Sequence, residues 1–425
     1  MTRFACALAG TWFLAVANLR ADDWPHWRGP DHNGVARSHG LPLHWSESGN
    51  IAWKLALPGK AGSTPVISGD RIFLTSTKGP DVVLLCISTD GKPVWERTLA
   101  RAVAPASKKD EGNEGAASPS TDGMYVYTFV WSGAVACHDF EGREVWKFDA
   151  QERYGRFEIL HGVHNTPLLQ GGRLYLALLH ANGHWVIALD KATGKEVWRI
   201  ARKSDAVGVS REAYASPCLW NDGKQTSLVV LGCDYATGHR LADGGEIWRL
   251  GDLNPRASYN TTLQLIASPV ATPNMLLVPT AKGGAVVAVQ PGARGLIRAG
   301  DPFERWRIAK GSPDVPSPLV HAGCVYLVRD SGLLWCLDAR TGADLYLHRL
   351  HADRYCASPV LTAGRVYLTA RDGTTSVVRA GGQFELLAVN TLDDHFTASA
   401  AVAHDRLYLR GFRSLYAIGE GAKGR

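Results

Sequence analysis

The chain has 425 residues, 46 basic against 40 acidic, a formal net charge of +6, 45% hydrophobic residues and 14 tryptophans. That much apolar and aromatic content excludes a disordered chain. The basic excess is scattered rather than gathered into the clustered footprint that nucleic-acid binding needs, and no apolar run reaches the roughly 20 residues of a membrane-spanning helix.

The first residues read as a secretory signal peptide over 1–21. Thr2-Arg3 is a short basic start, Phe4 to Ala17 is apolar, and small residues offer cleavage after Ala17 or Ala21. No cysteine follows the apolar stretch, so a lipid anchor is not expected; a secreted or periplasmic location is. Residues 22–44 read as an extended N-terminal segment.

From 45 to 418 the chain repeats itself. Thr64-Pro65, Ser118-Pro119, Thr166-Pro167, Ser216-Pro217, Ser268-Pro269, Ser317-Pro318, Ser358-Pro359 and Ser399-Ala400 recur about every 48 residues, a period that denotes a solenoid, propeller or array. Each opening leads into an apolar strand, a Gly/Asp turn and a strand with a central aromatic, as in Leu174-Tyr175-Leu176. A third strand (Val186 to Asp190) and a Gly turn precede a fourth strand ending in Trp198. β-Branched and aromatic alternation between such turns is the strand-and-hairpin signal, and four antiparallel strands per unit make a propeller blade. The last repeat lacks its fourth strand, while an orphan strand carrying Trp53 precedes the first. The expectation is an all-β, eight-bladed propeller of four-stranded antiparallel blades. Its ring is closed by the Trp53 strand completing the C-terminal blade, with a polar tail at 419–425. As core between blades, a terminal Trp such as Trp198 should cost about 3–5 kcal/mol on truncation to alanine.

Seven cysteines remain beyond the signal peptide, an odd number, so they cannot all pair internally. Cys86, Cys137 and Cys336 occupy the third-strand slot that holds Ala188 in another repeat, which fits small buried side chains.

The Asp-x-x-Thr-Gly-x-x-x-Trp unit at Asp190 to Trp198, echoed at Asp338 to Tyr346, resembles the pyrroloquinoline-quinone (PQQ) repeat. The stretch Asp23 to Pro30, with Asn33-Gly34 behind it, is similar to the start of secreted bacterial PQQ-like propeller proteins. The resemblance covers residues 23–418 and implies one of two roles. Quinoprotein alcohol dehydrogenases bind PQQ with calcium in the central funnel. The scaffold lipoprotein of the outer-membrane β-barrel assembly machine is not an enzyme. This chain lacks the adjacent cysteine pair and haem-attachment motif of the first group and the lipidated cysteine of the second.

No Gly-x-Ser-x-Gly elbow, phosphate loop or His-Glu-x-x-His motif is present, so no catalytic, cofactor-binding or metal-ligating residue is assigned. Four consecutive crossings, from Trp95 to Pro269, are longer than the rest, and loops on a rigid scaffold concentrate binding residues. By repeat equivalence Glu114, His161, His164, Asn165, Tyr214, Tyr259, Asn260, Arg354, Tyr355, Asp394 and His395 should meet at one funnel mouth. The functional expectation is a monomeric, non-catalytic binding or scaffolding protein, its partner a cell-envelope protein or small polar ligand and not nucleic acid. No cofactor is expected; the alternative is a PQQ- and calcium-dependent oxidoreductase of alcohols or sugars.

Overall fold

A computed structural model describes residues 22–38, 40–102 and 114–420; the signal-peptide assignment at 1–21 lies outside them. Eight sheets surround a central channel. Blades 1 to 8 are numbered by their innermost strands: Val66–Ser68, Ser120–Thr121, Leu168–Gln170, Cys218–Asn221, Val270–Thr272, Leu319–His321, Val360–Thr362 and Ala401–Ala403. Ile51–Ala56 pairs antiparallel with Ser414–Ile418 and supplies the outer strand of blade 8, so the two ends of the chain close the ring. Closure removes the unpaired edges that an open array would expose.

Blade 4 departs from the four-strand plan. An insertion within blade 5 forms Gly295–Ile297, which pairs in parallel with the blade 4 outer strand Glu246–Leu250. This fifth strand covers Trp248, which is 2% exposed and meets Trp220 edge-on.

Two circumferential contacts explain why the repeat needs its signature residues. The serines before proline form a belt. In six links the backbone N–H of one blade donates to the serine Oγ of the next at 2.9 Å: Thr64 to Ser118, Thr166 to Ser216, Ser216 to Ser268, Ser268 to Ser317, Ser317 to Ser358 and Ser358 to Ser399. The following proline offers no N–H and holds its predecessor extended.

Farther out, five of the terminal tryptophans reach across to the next blade. The indole N–H groups of Trp53, Trp95, Trp146, Trp198 and Trp306 donate to the carbonyls of Thr89, Phe140, Lys191, Leu241 and Ala339 at 2.8–3.1 Å. The rings lie on Gly91, Gly142, Gly194, Gly244 and Gly342; a Cβ at Gly194 would come within 2.7 Å of Trp146. Only glycine permits that approach at the positive φ of the turn.

Trp53, Trp95, Trp146 and Trp198 are therefore half-buried clasps near the rim rather than the buried core expected from the repeat, whereas Trp306 is buried at 8% exposure. A half-buried ring plus one hydrogen bond lowers the expected cost of Trp198→Ala to about 2–3 kcal/mol. Chemical denaturation of the variant checks this, and an unchanged midpoint would refute the clasp. The blade cores themselves come from aliphatic strand residues such as Val186, Ile187 and Leu228, with the aromatic Tyr175. Cys86, Cys137 and Cys336 are buried in these cores as small side chains, and burial pushes each thiol up to about 12.

Candidate functional site: a funnel closed from below

Residues 22–36 do not trail away from the ring but enter its channel. Trp24 exchanges two backbone hydrogen bonds with Ile67 of blade 1 at 2.9 and 2.8 Å, and the Pro25 carbonyl accepts from the N–H of Thr121 in blade 2. Ala36 and Gly34 pair with Leu361 of blade 7. Asp23 is 2% exposed and accepts from Ser68 Oγ and the Gly69 N–H at 3.0 Å.

Arg28 is the centre of this plug. It is 2% exposed and donates to the carbonyls of Pro359 (2.7 Å), Pro318 (2.8 Å) and Asn33 (3.1 Å). No carboxylate among the described residues pairs with it, and burial lowers its pKa to about 9. Its guanidinium lies so close to Gly34 that a Cβ there would fall 2.5 Å from Nη2.

Buried His26 and half-buried His32 meet edge to face, 4.2 Å between ring centres. Desolvation holds His26 well below the ordinary histidine value, and His32 reinforces it, followed by Arg28. Desolvation also takes His32 down to about 4 against the opposing pull of Asp31. Well above pH 6.5 both rings are neutral in folded and unfolded chains alike. Between pH 6.5 and 4 the unfolded chain binds protons that the plug refuses, so stability falls as pH drops through that window. A His26→Leu/His32→Leu variant should lose less stability than the wild type between pH 7 and 5, by about 3–4 kcal/mol, roughly 2 for each ring. Urea titrations at the two pH values check this; equal losses would refute it.

Above the plug lies a cavity of about 370 Å³, within the roughly 300–1,000 Å³ of small-molecule sites. Trp27, partly exposed, separates it from a void of about 10 Å³ beside His26 and His32. The wall is built in rings, because alternate residues of an extended segment face the same way. The lowest ring is the Ser/Thr belt from Thr64 to Ser399. Two residues upstream comes a second ring with a small half (Gly62, Ala116, Cys356, Thr397) and a bulky half (His164, Tyr214, Ile266, Val315). His161, Gln264, Asp314 and Arg354 stand above it.

Of the residues expected at the mouth, His161, His164, Tyr214 and Arg354 line this cavity. His164 hydrogen-bonds the His161 carbonyl, and desolvation in the wall lowers its pKa. Tyr214 donates to Glu212 at 2.7 Å and accepts from Gln264 at 3.3 Å; burial, then Glu212, raises its pKa. The other seven are placed elsewhere. Glu114 and Asn165 are buried, the latter donating to the Ala177 carbonyl at 2.7 Å. Tyr259 joins Asp234 (2.6 Å) to the Val207 N–H, and Asn260 bonds Thr262, Ser210 and Asn254 in the long crossings. Tyr355 is fully buried in the core shared by blades 6 and 7. The Asp394 carboxylate caps blade 8, accepting from the N–H groups of His395, Arg413 and Ser414 and from Tyr416 OH. His395 lies against Phe412. Trp27, Gln264 and Asp314 escaped sequence reasoning; counting back by twos from each serine finds the second ring, but nothing repeats Trp27.

The cavity does not fit a calcium-held quinone. Calcium takes six to eight oxygen ligands led by carboxylates, and Asp314 is the single carboxylate among the described lining residues. One group of His and acid residues with metal-ligand spacing occurs among the described residues, His351, Asp353 and Asp372. It is partly exposed, with His351 paired to Asp372 at 2.6 Å.

Fold and funnel define a PQQ-repeat β-propeller with a blind central pocket. The chain belongs to the family described as outer membrane protein assembly factor BamB, which matches residues 35–128 and 131–293, more than half of its length. It is similar in structure to BamB from Moraxella catarrhalis (TM-score 0.63, 14% identity, 86% of this chain and 99% of that one). It is equally similar to the quinohemoprotein alcohol dehydrogenase from Comamonas testosteroni (TM-score 0.67, 14% identity, 97% and 82%). At these identities the likeness concerns the fold. A curated relative, polyvinylalcohol dehydrogenase from Sphingopyxis sp. (strain 113P3), is 24% identical over 193 residues, 42% of this chain but only 28% of that protein's length.

Proposed function

We propose that this protein is a non-catalytic binding protein of the cell envelope, holding a small polar ligand in its central funnel and working as a scaffold there. The observation that carries this reading is the construction of the pocket. Its floor is a plug of the chain's own N-terminal segment, and its lowest wall is a ring of hydroxyls already engaged in holding the blades together. Such a wall is preorganised for recognition. An envelope location accords with the family description.

The relationship to polyvinylalcohol dehydrogenase favours a second reading, oxidation of an alcohol or sugar with PQQ and calcium. Calorimetric titration of the purified protein with PQQ, with and without calcium, decides between them. The expected result is no saturable calcium-dependent heat and no dye-linked oxidation of alcohols. Binding near one equivalent that requires calcium would overturn the binding-protein reading.

A further inference from the structure

Resting on that reading, we infer that the funnel ligand is a neutral, polyhydroxylated ring: the end of a short saccharide seated on Trp27. Three features converge on this chemistry. Trp27 is a large aromatic left partly exposed at the bottom of a concave site, although the residues on either side of it, His26 and Arg28, are buried. An indole presented as a floor is a stacking platform for a ring with an apolar C–H face. Tyrosine and tryptophan characteristically serve where one surface is apolar and its surroundings are wet.

The belt directly above supplies the matching polar edge. Each serine Oγ that accepts a backbone N–H keeps its own O–H to donate. Hydroxyls that both donate and accept are the partners that sugar hydroxyls require, and their circular arrangement surrounds the rim of a ring lying flat on Trp27.

Charge gives the third constraint. Arg354 and Asp314 bring opposite signs to the upper wall, and Asp314 also stands 3.8 Å from Lys282. A polyanion would meet Asp314 as a repelling group, whereas a neutral hydroxyl can donate to the Asp314 carboxylate and accept from the Arg354 guanidinium. Ile266 and Val315 in the second ring add apolar surface on one side, leaving the small half over Gly62, Ala116 and Thr397 as space for a second sugar unit.

The test is isothermal titration of the full-length protein with cellobiose, maltose and citrate, repeated on Trp27→Ala and Ala116→Leu. The first variant removes the platform, and the second fills the open half of the cavity without touching the plug. The expected result is saturable binding of at least one disaccharide, weakened about tenfold or more in both variants, a loss of ~1.4 kcal/mol or more. Melting of Ala116→Leu should stay close to wild type, so that variant remains decisive if Trp27→Ala is unstable. Disaccharide binding that ignores Ala116→Leu would place the sugar elsewhere and overturn the inference. If citrate alone binds and Ala116→Leu abolishes it, the funnel is a binding site but the saccharide inference is wrong. If none of the three binds up to tens of millimolar, both the inference and the small-ligand reading fail.

Discussion

Arg28→Met is expected to lower the unfolding free energy by about 3–5 kcal/mol. The guanidinium makes three hydrogen bonds to backbone carbonyls, two of them to the prolines that open blades 6 and 7. Hydrogen bonds from a charged donor are each worth roughly 1.5–3 kcal/mol, and removing the donor leaves buried carbonyls without a partner. Release of the desolvated charge offsets part of this, which keeps the net below the simple sum. Arg28→Lys should recover less than half of the loss, because an ammonium cannot span two carbonyls as a planar fork does. Urea unfolding of the three proteins measures the series. A Met variant as stable as the wild type would mean that the plug merely rests in the channel.

The second large effect is expected at Asp394. Its carboxylate is 2% exposed and accepts from three backbone N–H groups and a tyrosine hydroxyl around the turn into the last strand, Ser414–Ile418. Gly411 lies against it so closely that a Cβ would come within 2.3 Å. Asp394→Ala strands those donors in the blade that closes the ring, and a cost of about 3–4 kcal/mol follows from several lost charge-assisted bonds. Asp394→Asn keeps the shape and one acceptor oxygen and should cost about half as much. Thermal unfolding followed by near-ultraviolet circular dichroism reports the change. Equal stability of the Ala variant would show that the turn holds without its cap.

The architecture was legible because a propeller writes the same local instructions eight times. Ser-Pro and the Gly-to-Trp ending correspond to contacts between neighbouring blades, six of the first kind and five of the second. What they do was less visible. The serines bridge blades through their Oγ atoms, and the tryptophans clasp a glycine of the next blade at the rim. The funnel was legible only in part, since orientation alternates along each inward segment. His164 and Tyr214, two residues before a belt position, face the cavity, whereas Tyr355, three before one, turns into the core. Trp27 and Arg28 belong to a segment that occurs once, so no comparison among repeats points at them. The fifth strand of blade 4 comes from an insertion in another blade and is equally silent in the pattern.

Closing the ring with its own two ends also sets the order in which this protein can mature. Ile51–Ala56 finds its partner only in Ser414–Ile418, and Arg28 must reach a carbonyl 331 positions away. Individual blades are local and can form as they are made. The seam and the plug, however, wait for nearly the whole chain, and contacts of such long sequence separation are the slow ones. Until the final strand arrives, the first blade carries an open flank and the channel has no floor. The half-made molecule is therefore the form most exposed to misassembly.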